Sequence, residues 1–87
     1  MSTSKKKKNQ FNIDGNKEGY WENFYLNGTL SFEGNFINGK HDGLCKWYFS
    51  SGQLCFEACH KNGERDGFCK LYNEEGVLTN KVLYVNI

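Results

Sequence analysis

An all-β fold, a single-layer antiparallel meander of β-hairpins with about seven strands, is predicted by three observations on this 87-residue chain. Aromatic residues make up 16% of it, there are ten glycines and no proline, and the glycines recur with a fixed period. The aromatic content separates the chain from disordered sequences, which cannot bury enough apolar surface to fold. Glycine without proline points to hairpin turns of the Asn-Gly kind, which need residues that tolerate positive φ.

The period is 24 residues. Gly19, Gly43 and Gly67 are 24 apart, as are Gly28, Gly52 and Gly76, and Gly15, Gly39 and Gly63. Leu30, Leu54 and Leu78 follow the same spacing, as do Phe24, Tyr48 and Tyr72, Phe32 and Phe56, and Glu33 and Glu57. A period of this length marks a repeat array in which each unit buries its apolar face against its neighbours. Units fall near residues 19–42, 43–66 and 67–87, so that a repeat domain over 11–87 follows a flexible basic leader, 1–10.

Each unit reads as two strands. Tyr20 to Leu26 is strand-like, Asn27-Gly28 turns, and Thr29 to Ile37 forms the return strand. Polar segments bracketed by glycine, Asn38 to Gly43 and Asn62 to Gly67, link the units as loops. Centring the hairpin on Asn27-Gly28 sets Tyr25 opposite Leu30, Asn23 opposite Phe32 and Trp21 opposite Gly34 on one face. Centring the linking loop between Lys40 and His41 places Gly34 beside Trp47, so Gly34 reads either as a slot for tryptophan side chains or as a bulge. The opposite face carries Glu22, Glu33, Lys46, Glu57 and Lys70 and reads as solvated.

Charge divides the chain. Lys5, Lys6, Lys7 and Lys8 form a basic leader, while residues 9–87 hold seven Lys and Arg against ten acids, a body near −3. That balance argues against a nucleic-acid-binding domain. The lysine run reads as a solvated tail, with a contact to phosphate or anionic lipid as the alternative. No apolar run approaches the roughly 18 residues of a membrane span, and the first ten residues lack a secretory hydrophobic segment. A cytoplasmic protein without a lipid anchor is therefore expected, in the host cytoplasm if the source is a phage or virus.

Cys45, Cys55, Cys59 and Cys69 raise the question of two disulfides or a zinc site. Cys55 and Cys59 share a strand and stand roughly 13 Å apart at about 3.3 Å per residue, and Cys45 and Cys69 are two strands apart, roughly 10 Å. Packed, reduced thiols are the expectation, with zinc as the alternative. Cys59-His60 is no nucleophile pair, because neighbours on a strand point to opposite faces. His41 falls in a polar loop. No catalytic residues, no metal ligands and no cofactor site are assigned, and the chain is expected not to be an enzyme.

The stretch Phe32-Glu33-Gly34-Asn35-Phe36-Ile37-Asn38-Gly39-Lys40-His41-Asp42-Gly43 resembles the MORN repeat, with Gly19, Trp21, Tyr25, Asn27, Gly28 and Leu30 resembling its other half. More specifically, it resembles the variant found in bacterial antitoxin-like proteins of the YwqK type. The resemblance spans roughly residues 11–87. It departs where Ala58 and Val82 replace Gly34 and where Cys45 and Cys69 occupy the Trp21 position. A last unit with Asn80 and Lys81 in place of Phe32 and Glu33 reads as a terminal cap. The resemblance implies a binding module: a small stoichiometric inhibitor or antitoxin-like binder of a protein, in a phage setting an anti-CRISPR-like inhibitor of a defence nuclease, or else a scaffold or adaptor at an anionic membrane surface.

A one-layer sheet has apolar residues that something must cover. The candidate surface is Trp21, Tyr25, Phe32, Trp47, Phe49, Leu54 and Phe56. If a curled sheet buries these as its own core, the partner surface lies on the opposite face, around Tyr20, Phe24, Leu44, Tyr48 and Phe68. Residues 82–87 form an apolar edge strand, and a homodimer through this edge or through the aromatic face is expected.

Overall fold

The computed structural model describes residues 7–85. Seven antiparallel strands make one open sheet in chain order: β1 (Gln10–Phe11), β2 (Lys17–Phe24), β3 (Leu30–Ile37), β4 (Lys40–Tyr48), β5 (Leu54–Lys61), β6 (Glu64–Tyr72) and β7 (Leu78–Tyr84). The described residues include no helix. The meander expected from the period is thus the fold.

Two kinds of turn alternate. At Tyr25 to Gly28, the amide of Gly28 donates to the Tyr25 carbonyl, and the amide of Tyr25 donates to the Thr29 carbonyl. Gly28 sits at φ 91°, closing a three-residue loop that places its last residue in the left-handed region. The pattern recurs at Phe49 to Gly52 and at Asn73 to Gly76. Asn38-Gly39, in contrast, is a two-residue turn with both residues left-handed, φ 50° and 84°, and Asn62-Gly63 repeats it. Lys40 to Gly43 is therefore strand, not loop. Because the reversal occurs two residues earlier than the sequence suggests, Ile37 pairs with Lys40 and Phe36 with His41.

The early turn forces an irregularity further on. Asn35 faces Asp42 but Glu33 faces Lys46, so Gly43, Leu44 and Cys45 all lie opposite Gly34. Gly34 consequently lies beside Cys45 and not beside Trp47, whose pair is Phe32. A second bulge, at Asn23/Phe24, sets Phe24 rather than Tyr25 opposite Leu30, and the same shift recurs at Trp47/Tyr48. Trp21 opposite Gly34, Asn23 opposite Phe32 and Lys46 opposite Glu57 stand as the pattern predicts.

The core lies on one face, hereafter inner, in three rows across the strands. The middle row is Trp21, Gly34, Cys45, Ala58, Cys69 and Val82, small except at its ends. On one side lie Phe32, Trp47, Phe56 and Leu71, and on the other Phe36, His41, His60 and Arg65. Rings from the two outer rows meet above the small residues. Phe32 and Phe36 are four residues apart on one strand, roughly 13 Å of extended backbone, yet their ring centroids are 5.9 Å apart. His41 to Phe32 and His41 to Trp47 are each 5.7 Å. Cys45 and Ala58 are fully buried under this roof, and Trp21, Phe32 and Phe36 are buried as well. A curled single layer thus builds its own narrow core, each buried aromatic or aliphatic side chain contributing roughly 1.5 to 3 kcal/mol.

Candidate functional site

The residues singled out from the sequence divide between the two faces. Trp21 is buried, edge-on to Phe11 at 5.1 Å and to Phe36 at 6.1 Å, and its indole N–H donates to the Gln10 carbonyl at 3.1 Å. Trp47 is half-buried and joins Phe32, His41, Phe56 and His60 in the ring roof. Tyr25 lies at a turn, its hydroxyl donating to the Tyr48 carbonyl, and Phe49 is half-buried at the next turn, its amide donating to Gln53 O.

On the outer face, tyrosines and glutamates interlock. Tyr20 donates its hydroxyl to Glu33 Oε1 at 2.8 Å and also reaches Glu22 at 2.8 Å, while Tyr48 donates to Glu33 Oε2. Tyr72 repeats the second contact with Glu57 at 2.7 Å. These hydroxyls, chiefly that of Tyr48, hold the Glu33 carboxyl below its ordinary range, with Lys46 adding to the effect and burial opposing it. Burial and then the glutamate contacts push Tyr20 and Tyr48 well above the usual phenol range. A face that reads as merely solvated is thus tied across strands by charge-assisted hydrogen bonds. The 24-residue recurrence of Tyr48 and Tyr72 carried that signal, since each lies 15 residues after the glutamate it meets.

Around this lattice stand partly exposed apolar side chains. Phe24 is 56% exposed, Leu44 47% and Phe68 45%. Leu44, Cys59 and Phe68 line a shallow groove with Glu57 and Lys70 at its rim. Lys81 Nζ lies 4.3 Å from the centre of the Phe68 ring.

His41 is not in a loop. It stacks between Phe36 at 4.6 Å and His60 at 4.9 Å, because the early Asn38-Gly39 turn brings it into β4 facing inward. Its Nδ1 lies 3.6 Å from Cys45 Sγ, a cysteine-histidine contact that the sequence spacing did not suggest. The contact lacks the charge a nucleophile needs. Burial pushes the Cys45 thiol up, and burial followed by the neighbouring His60 and Lys17 pushes the His41 imidazole down, so both are neutral near pH 7. Cys59 and His60 face opposite sides: Cys59 lines the outer groove while His60 joins the inner stack. All four cysteines are free thiols, Cys45 and Cys69 buried, Cys55 and Cys59 half-buried. Among the described residues, no cluster of three or more His, Cys, Asp or Glu could hold a metal ion.

At the start of the described chain, Lys8 pairs with Glu22 at 2.7 Å, and the Asn9 amide donates to the Tyr20 carbonyl at 2.9 Å. Lys5 and Lys6 lie outside the described residues. At the other end, Val82 is 40% exposed and Leu83 55% on β7, whose neighbour among the described residues is β6 alone. Asn86 and Ile87, the last residues of the expected edge, lie outside the described residues.

Residues 17–38 and 42–62 match the family model of the MORN repeat variant. The two matched stretches begin at β2 and within β4, and together they cover the core rows from Trp21 to His60 apart from His41. MORN repeats are generally protein- or membrane-interaction modules, and a non-catalytic role fits both the family and the all-β sheet. No curated protein and no solved structure gives a match to the chain.

Proposed function

We propose that the protein is a non-enzymatic, stoichiometric binder of another protein, acting as a small inhibitor of the antitoxin-like kind in the cytoplasm. One observation carries the reading: Trp21, Phe32 and Phe36 on the inner face are buried in the protein's own core, whereas Phe24, Leu44 and Phe68 on the outer face remain about half exposed among the described residues. The Tyr20, Tyr48 and Glu33 lattice stiffens that face, and a rigid platform lowers the ordering cost of association. Large apolar side chains ringed by polar groups are the composition of a contact patch.

The test is capture of a partner by tagged protein from cells of the source organism, repeated with Leu44→Glu and Phe68→Glu. Loss of the captured protein by both variants, with the thermal unfolding midpoint unchanged, supports the reading. Undiminished capture by both refutes the assignment of the outer face. An adaptor at an anionic membrane instead predicts cosedimentation with phosphatidylserine vesicles that disappears when residues 1–10 are removed.

A further inference from the structure

On the inner face an open concavity of ≈ 450 Å³ lies over the ring roof. Its walls are Lys17, Phe36 and His41 on one side and Asn23, Phe32 and Trp47 on the other, with the bulged residue Ser31 at the rim. Its volume lies in the range of sites that take small molecules, and half of its lining residues are Phe, Trp or Tyr. No carboxylate lines it. The outer-face glutamates Glu22, Glu33 and Glu57 are held there by tyrosine hydroxyls.

Lys17 supplies the charge. Its Nζ lies 4.8 Å from the centre of the Trp21 ring and 5.1 Å from that of Phe36, and it makes no ion pair among the described residues. The ammonium thus rests on π faces at one end of the concavity with its charge not neutralised by any carboxylate. The His41 imidazole beside it is held neutral, so it adds a ring face without a second charge. A cation at one end and aromatic walls along the rest select a ligand with the reverse arrangement, an anionic group on a planar ring.

We propose that this concavity is a binding site for small aromatic anions, the ring lying against Trp47 and His41 and the anionic group meeting Lys17 Nζ. The site is distinct from the protein-binding reading, which rests on Phe24, Leu44 and Phe68, although Tyr48 both lines this concavity and belongs to the outer lattice. The probe is 8-anilinonaphthalene-1-sulfonate, titrated into the folded full-length chain and followed by dye fluorescence and by quenching of the two tryptophans. Saturable binding at one site is expected, weakened roughly tenfold or more by Lys17→Met, where one charge-assisted contact is lost, and unchanged by Lys46→Met on the outer face. Circular dichroism melts of each variant show whether the fold is kept, and the uncharged analogue N-phenyl-1-naphthylamine is expected to bind much more weakly. Absence of saturable binding, equal affinity in folded Lys17→Met protein, or equal affinity for the uncharged amine overturns the proposal.

Discussion

Gly34 and Cys45 fit together so closely that a Cβ added at Gly34 would stand 2.7 Å from Cys45 Sγ and 3.1 Å from its Cβ. The thiol, fully buried, fills the space that a side chain at residue 34 would need. One repeat later, Ala58 lies between Cys45 and Cys69 and is itself fully buried. The first repeat is therefore the tighter of the two at this row. Gly34→Ala is expected to cost about 1 to 3 kcal/mol, the usual range for overpacking a core. Combining it with Cys45→Ala, which removes the nearest atom, recovers part of that loss. Urea unfolding of the three variants measures it, and additive losses in the double variant would contradict the steric account.

Glu33 accepts hydroxyls from both Tyr20 and Tyr48. Replacing it by Gln removes the charge that strengthens both bonds, and a loss of about 1.5 to 3 kcal/mol is expected. The tyrosines give a separate readout. Their ionisation, followed by absorbance near 295 nm, is delayed to high pH in the parent protein, and Glu33→Gln is expected to shift two phenols back toward the ordinary value near 10. An unchanged titration curve would mean that the lattice does not persist in solution.

Acid weakens the fold in two stages. His41 and His60 both have imidazoles pushed down by burial, so the unfolded chain takes up their protons first as pH falls below about 6.5. Stability attributable to them is complete above that pH and declines through the window between the unfolded and the lower folded value. Glu33 acts at lower pH: its folded carboxyl is held down, so its contribution is present above the unfolded value near 4.5 and is lost as pH falls through the folded one. Thermal midpoints between pH 8 and pH 3 are expected to fall in both windows. His41→Phe, which keeps a ring in the stack, is expected to reduce the first decline and leave the second.

Thiol accessibility separates the cysteines by face and depth. Cys55 and Cys59 are half-buried, while Cys45 and Cys69 are buried in the middle row. With an aromatic disulfide reagent in native buffer, two thiols are expected to react readily and two only when the sheet opens. Cys45 is the slower case on two counts, since it is fully buried and its thiol is pushed up by burial. Four equal rates in native buffer would rule out the buried middle row.

The sequence by itself determined the fold class, the strand count and the face shared by Trp21, Phe32 and Trp47. A 24-residue recurrence of Asn, Gly and aromatic positions leaves a meander as the consistent arrangement, and strand alternation then separates Phe32 and Trp47 from Glu33 and Lys46. The tertiary structure decided the register across the linking turn and beside the bulges. Asn38 and Gly39 both take positive φ, and this moves the reversal by two residues, puts His41 into the ring stack and makes Cys45 rather than Trp47 the neighbour of Gly34. Such shifts escape a pattern of period two, because a bulge adds residues to one strand without changing the spacing of the glycines. The same holds for Glu33: its spacing marks a repeat position, but only strand neighbours distant in sequence bring Tyr20 and Tyr48 to its two oxygens. Curling is the last such decision, since the roof of rings closes only when rows on either side of Gly34, Cys45 and Ala58 find nothing bulky between them.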